Sequence, residues 1–163
     1  MDPSQTVQLG DRRLTITRAT EADVPEIVAL LADDVLGASR ESPDVADLAP
    51  YLAAFSEIDA DGRHLLVAVR DESGTVVATM HLTLLPGLSR QAATRLQIEA
   101  VRVGASARGL GLGTRMIEWA HQYGREHGAR LVQLTTDRSR TDAHRFYEKL
   151  GYVASHVGFK LEL

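Results

Sequence analysis

The stretch Val101-Arg102-Val103-Gly104-Ala105-Ser106-Ala107-Arg108-Gly109-Leu110-Gly111-Leu112-Gly113-Thr114 joins the end of a β-type run to the start of an amphipathic helix. Alternate glycines follow an arginine there. Glycine lets the backbone approach a ligand closely, and the first N–H groups of a helix lack intrahelical acceptors and point outward at the positive end of the dipole. A phosphate suits such a junction, and Arg108 adds charge to it. Glu99 stands two residues before Val101, on the strand that feeds the loop, with Gln97 two further back. A carboxylate so placed can take a proton directly or through a water that Gln97 orients; its other reading is an ion-paired strand residue. His81, on a neighbouring strand, is a weaker candidate base.

Two kinds of phosphate binder use glycine loops. A dinucleotide fold wants GxGxxG and a ribose-binding acid after the next strand, and Asp137 lies about there. This chain has GxGxG instead, and too little chain follows for a series of βαβ units. The lysine and hydroxyl pair of a triphosphate loop is missing, because Thr114 and Arg115 follow Gly113.

The elements that must hold these residues follow from periodicity. Leu14 to Arg18 alternates like a half-buried strand after a short polar lead. A helix follows, with Thr20 or Asp23 as cap, Pro25 near its start, Val24, Ile27, Val28, Leu31 and Val35 on one face, and Gly37 at its end. A second helix is expected from Pro43 with Ser42 as cap and Val45, Leu48, Leu52 and Phe55 on one face. Strands His64 to Arg70 and Thr75 to Leu84 flank a turn at Asp71 to Gly74, and a long strand runs from about Gln91 to Val103. The helix after the glycine loop carries Leu112, Met116, Trp119, Ala120 and Tyr123 on one stripe and ends at Gly128. Leu131 to Thr135 is a short buried strand, Arg140 to Leu150 a last helix, and Tyr152 to Leu161 one or two closing strands. The expected order is β-α-α-β-β-β-α-β-α-β, a mixed α/β fold around one sheet, in a single domain over residues 1–163.

Composition narrows the function. The chain has 163 residues, 44% of them hydrophobic, enough for a real core. A formal net charge of −4 argues against nucleic acid as a partner. There is no cysteine, which excludes thiolate nucleophiles and disulfides. The histidines show no metal-ligand spacing, so no metal site is expected. No apolar stretch is long enough to span a membrane and no targeting segment is evident, so a cytoplasmic protein is expected.

Two motifs carry a resemblance. Arg108-Gly109-Leu110-Gly111-Leu112-Gly113 matches Q/R-x-x-G-x-G/A, and Ala143-His144-Arg145-Phe146-Tyr147-Glu148-Lys149-Leu150-Gly151-Tyr152 matches A-x-x-F-Y-x-K-x-G-F/Y, in the same order and spacing. The chain thus resembles the GNAT superfamily of acyl-CoA-dependent N-acetyltransferases across nearly its whole length. Its closing segment, Asp142 to Tyr147 with Ser155-His156 further on, is similar to that of the aminoalkylphosphonate acetyltransferases. Three positions depart from the pattern: Ala105 where proline is usual, Arg140 where a cofactor-contacting asparagine is frequent, and Gln97 where some members have their base.

The resemblance implies acetyl-CoA as co-substrate. Its pyrophosphate would rest on N–H groups of Gly109, Leu110, Gly111, Leu112, Gly113 and Thr114 beside Arg108, and its pantetheine would lie along Val101, Arg102 and Val103. A backbone N–H near Val103 would stabilise the oxyanion. Arg140 and His144 would face the cofactor, and Tyr147 would be the acid for the leaving thiolate, with a core aromatic as its other reading. Glu99 is then the first choice of base. Three readings compete: transfer of acetyl to a primary amine of a small molecule by direct attack, a catalytically silent acetyl-CoA sensor, and a dinucleotide binder. Arg90, Arg95 and Arg102 offer charge to an anionic substrate. A homodimer is common in similar proteins, though nothing in the chain fixes an oligomeric state.

Overall fold

The computed structural model describes residues 4–33 and 37–162. They divide into two compact units, Met1–Gln133 and Leu134–Leu163. Six strands form one sheet in chain order: β1 (Gln5–Leu9), β2 (Arg12–Arg18), β3 (His64–Arg70), β4 (Val76–Leu85), β5 (Thr94–Val103) and β6 (Ala129–Leu134). The helices are α1 (Val24–Ala32), α2 (Ala49–Ala60), α3 (Leu112–Glu126) and α4 (Thr141–Lys149). Strands β1 to β5 pair antiparallel with their neighbours. The only link between β5 and β6 is a loop and α3, a crossover that returns the chain parallel and makes the sheet mixed.

Each face of the first unit's sheet has its own core. Leu65, Val67 and Val69 of β3, Met80 and Leu82 of β4, and Leu96 and Ile98 of β5 are buried, as are Leu112, Met116, Ile117 and Ala120 of α3. Gly124 lets α3 seat closely on β5, since a methyl group in its place would lie 3.1 Å from the Leu96 side chain. On the other face Ala68 and Val76 join Val24, Ile27, Val28 and Phe55 of α1 and α2. The entry to α1 is held by Asp23, whose Oδ2 accepts bonds from the Thr20 N–H at 2.6 Å and the Thr20 hydroxyl at 2.8 Å. The same buried carboxylate pairs with Arg70 of β3.

Several expectations change. The polar lead is not loop: Gln5–Leu9 pairs with β2 through a two-residue Gly10-Asp11 turn in which Gly10 takes φ 63°. α1 stops at Ala32, well before Gly37, which instead lies so near the Leu31 carbonyl that a Cβ would stand 1.9 Å from it. Val35 and the side chain of Val45 lie outside the described residues. α2 starts at Ala49 rather than at Pro43, with Pro50 in its first turn; in a longer helix Pro50 would remove an interior hydrogen bond. Ser42 accordingly caps nothing there, its hydroxyl bonding Asp47 at 2.6 Å. β5 begins at Thr94 because Arg90, Gln91 and Ala92 form a left-handed turn, with φ of 54°, 58° and 56°. Trp119 and β6 are half-buried rather than buried. Tyr152 to Leu161 forms no strand, so the chain closes on α4 and an irregular, mostly exposed segment.

Candidate active site

Glu99 owes its setting to a bulge. The pairing of β4 with β5 runs Thr83↔Gln97 and His81↔Glu99, then shifts to Thr79↔Arg102 and Ala78↔Val103. Ala100 and Val101 therefore share the space opposite Met80, and Ala100 takes φ 51°. A non-glycine residue held there costs about 1–2 kcal/mol, so the surrounding ladder must enforce it. Directly opposed residues in an antiparallel ladder present their side chains to one face. Gln97 and Glu99 accordingly share a face with His81 and Thr83. Beyond the bulge it is Arg102, opposite Thr79, that keeps this face, although uninterrupted alternation would give it to Val101.

The residues around Glu99 form a polar row. His64 Nδ1 lies 3.0 Å from His81 Nε2 and 3.2 Å from the Thr83 hydroxyl. Gln133 of β6 donates its amide to Gln97 Oε1 at 2.7 Å. Burial, and next the neighbouring His64, push His81 down to about 4 from an ordinary 6.5, so its ring is neutral at neutral pH. Glu99 itself is exposed. Arg95 lies on the same face by alternation, and its buried Nε has no hydrogen-bond partner among the described residues.

The glycine loop continues from the same strand. Gly104 donates to the Val77 carbonyl at 2.8 Å and lies 2.9 Å, measured from an added Cβ, from the Leu30 side chain, so bulk is excluded there. Gly109 and Gly111 have φ of 78° and 80°, and an added Cβ at either would meet nothing within 4 Å. These two are needed for backbone conformation, and they border open space. Gly111 is the N-cap of α3, and its left-handed conformation turns the chain into the helix, whose first N–H groups lie at Leu112, Gly113 and Thr114. Such a cradle fits a phosphate by the chemistry of its donors.

Arg108 is engaged with the protein. Its Nε donates to the Val103 carbonyl at 2.9 Å, and its Nη2 pairs with Asp33 Oδ2 at 3.1 Å. Arg102 Nη1 likewise donates to the Val101 carbonyl at 2.9 Å. Both strand-end carbonyls thus carry an arginine, each keeping a second lone pair. A cleft of about 290 Å³ opens beside the loop, between Leu30 and Asp33 of the α1 side and Val76, Val77, Gly104 and Ala105.

Arg140, His144 and Tyr147 belong to the second unit. Arg140 precedes α4, and its carbonyl accepts the His144 N–H at 3.1 Å. His144 Nε2 lies 2.9 Å from the Asp137 carbonyl, and the Asp137 carboxylate accepts the Ser139 N–H and hydroxyl at 2.9 and 2.7 Å. That carboxylate is thus engaged in its own turn, where the dinucleotide reading wanted it for a ribose. Tyr147 is half-buried and packs edge-on to Phe146 and Tyr152, with ring centroids 5.1 and 5.7 Å apart. Burial, with Tyr147 next, raises the Tyr152 phenol well above its ordinary value.

The bulge, the pairing of His64 with His81 and that of Gln133 with Gln97 were not read from the sequence. Each depends on strand register. The one local signal was the alternation that places His64 and His81 within strands.

The pattern of the acetyltransferase (GNAT) family matches residues 27–152. A solved structure described as a transcriptional regulator from Bacillus halodurans C-125 is 41% identical, covers 92% of this chain and 99% of its own, and superposes with a TM-score of 0.88. Glucosamine-6-phosphate N-acetyltransferase from Arabidopsis thaliana, 22% identical over 91% of this chain and 97% of its own, shares the fold with a TM-score of 0.75. Aminoalkylphosphonate N-acetyltransferase from Salmonella typhimurium is 40% identical over 63 residues, 39% of this chain and 41% of that relative. The match therefore spans about two fifths of that relative's length.

Proposed function

The chain belongs to the GNAT family of acetyltransferases, and from that premise we propose that it moves the acetyl group of acetyl-CoA to a primary amine of a small molecule by direct attack. The observation that carries this reading is the unbroken run of β5, bulge, glycine loop and α3, which joins a carboxylate, a strained strand end and a helix N-terminus in one stretch of chain. Acetyl-CoA, when bound, supplies an acetyl group activated as a thioester. The first-turn N–H groups of α3 hold its pyrophosphate, with Gly109 and Gly111 leaving the approach open. Arg108 fixes the loop to Asp33 and adds positive charge beside it.

Glu99 removes the proton that an alkylammonium, with a pKa of about 10.4, carries at neutral pH. The neutral nitrogen then forms its bond to the carbonyl carbon as the carbon–sulfur bond breaks, and the second proton that this nitrogen sheds replaces the one given up to the sulfur. Two residues face one partner at the bulge, so a backbone N–H there falls outside the ladder and is a donor for the charge that develops on the carbonyl oxygen. Tyr147 returns a proton to the departing thiolate. With no cysteine in the chain, no thiol competes as an acyl acceptor.

An amine that also bears an anionic group is favoured. Arg95 shares the face of Glu99 with an unbonded Nε, and the partial match to an aminoalkylphosphonate N-acetyltransferase points the same way. A second reading, binding without turnover, is favoured by the Bacillus halodurans relative that is described as a transcriptional regulator. Calorimetric titration with acetyl-CoA, with NAD as control, and thiol-release assays on a panel of amines that includes aminoalkylphosphonates separate the two. Binding with release on one amine class supports the enzyme, and Glu99→Gln should then lower kcat/KM by about 10²–10⁴-fold. Binding with no release on any amine supports the sensor.

A further inference from the structure

Arg12 opens β2 directly after the Gly10-Asp11 turn and stands 94 positions before Ser106, yet the two residues meet. Its Nη1 donates to the Ser106 carbonyl, and its Nη2 lies 3.7 Å from Asp71 Oδ2. Asp71 is itself held, since its Oδ1 accepts the N–H groups of Ser73 and Thr75 at 3.0 and 3.1 Å and the Ser73 hydroxyl at 2.6 Å. A planar guanidinium can hold a carboxylate and a carbonyl at once. Arg12 therefore ties the turn between β3 and β4 to the turn Ala105–Ala107, which leads into the glycine loop.

That second turn has little else of its own. Its local bonds run from the Ala107 N–H to the Gly104 carbonyl at 2.9 Å and from the Arg108 N–H to the Ala105 carbonyl at 3.4 Å. The loop is fixed before it, where Gly104 bonds Val77, and after it, where Arg108 bonds Val103 and Asp33. Arg12 grips the stretch between those points. Beyond Arg108 the chain passes through Gly109 and Gly111, whose positive φ and open surroundings leave the loop's path dependent on how it is aimed at its root. Backbone N–H groups bind an anion well when they already point at it, because ordering them at the moment of binding costs affinity.

We propose that Arg12 is a positioning residue for acetyl-CoA: anchored on Asp71, it holds the 105–107 turn so that the glycine loop meets the pyrophosphate preformed. The role rests on the glycine loop being the acetyl-CoA site. It is one of geometry, since the charge of Arg12 is matched by Asp71. Arg13 supplies the comparison. It carries the same charge one residue along, on the opposite face of β2 by alternation, and pairs with Glu72 at 3.6 Å, away from the loop.

Calorimetric titration with acetyl-CoA is made on wild type, Arg12→Met and Arg13→Met, with hydrogen exchange of each free protein. Arg12→Met should raise the Kd about tenfold, the scale of one hydrogen bond to a charged group. Exchange should quicken at Ala107 and Arg108, whose N–H groups close the turn, and stay unchanged in β3 and β4, which reports that the fold persists. On an accepted amine the KM for acetyl-CoA should rise with the Kd while kcat holds. Arg13→Met should bind as wild type does. Wild type that binds acetyl-CoA no more tightly than Arg12→Met overturns the positioning role alone, as does an equal loss in Arg12→Met and Arg13→Met, which would make the effect one of charge. Wild type that does not bind acetyl-CoA at all overturns the reading of the loop and this role with it.

Discussion

Acidification should loosen this fold through one imidazole. His81 sits half-buried on β4 against His64, their ring centroids 5.1 Å apart, and directly across the ladder from Glu99. Burial, and then the charge of His64, hold its pKa at about 4 against an ordinary 6.5. In the unfolded chain the ring accepts a proton as pH falls through 6.5, while in the folded chain it waits until about 4. Between those values the unfolded state binds more protons, so stability is complete above pH 6.5 and declines as pH falls toward 4. The difference of 6.5 − 4 = 2.5 units is worth at most about 3.4 kcal/mol. Because the ring keeps some solvent, a loss of about 2 kcal/mol by pH 4.5 is the reasonable expectation. Urea unfolding of wild type and His81→Gln at pH 7.5, 6.5, 5.5 and 4.5 measures it. Glutamine keeps hydrogen-bonding atoms and cannot titrate, so carboxylate effects common to both proteins cancel in the difference. That difference should move by about 2 kcal/mol across the series, in favour of the variant at low pH. A difference that stays flat would refute the link between burial of His81 and proton uptake.

The remaining predictions concern the site and its frame. Tyr147→Phe should lower kcat by about tenfold or more while the KM for acetyl-CoA changes little, as steady-state kinetics would show; an unchanged kcat across several amines would assign Tyr147 to packing alone. Gly111→Val should weaken acetyl-CoA binding in calorimetry and cost about 1–2 kcal/mol of stability, because φ 80° is strained for any L-residue with a Cβ; undiminished affinity would move the phosphate elsewhere. Arg70→Met leaves the carboxylate of Asp23, a residue only 7% accessible, without its cation, and should cost about 3 kcal/mol in urea unfolding. A loss under 1 kcal/mol would mean that Thr20 alone satisfies that carboxylate.

By itself the sequence determined the features that depend on neighbouring residues. The capped entry to α1, the Asp71 to Gly74 turn, the run from β5 through the glycine loop to α3, and the stop at Gly128 are all local, because caps, turns and positive φ are decided within a few positions of one another. Where two local signals competed, the stronger was missed: Pro50 outweighed the Ser42-Pro43 start, and Gly10-Asp11 made a hairpin out of a polar lead. The tertiary structure alone decided what surrounds Glu99. His81 reaches that face through the register of β4 on β5, His64 through that of β3 on β4, and Gln133 from beyond α3, while one extra residue at Ala100 rephases everything after it. Register is a cooperative property of distant strands, and a shift by one residue exchanges the two faces, so no window of sequence contains it.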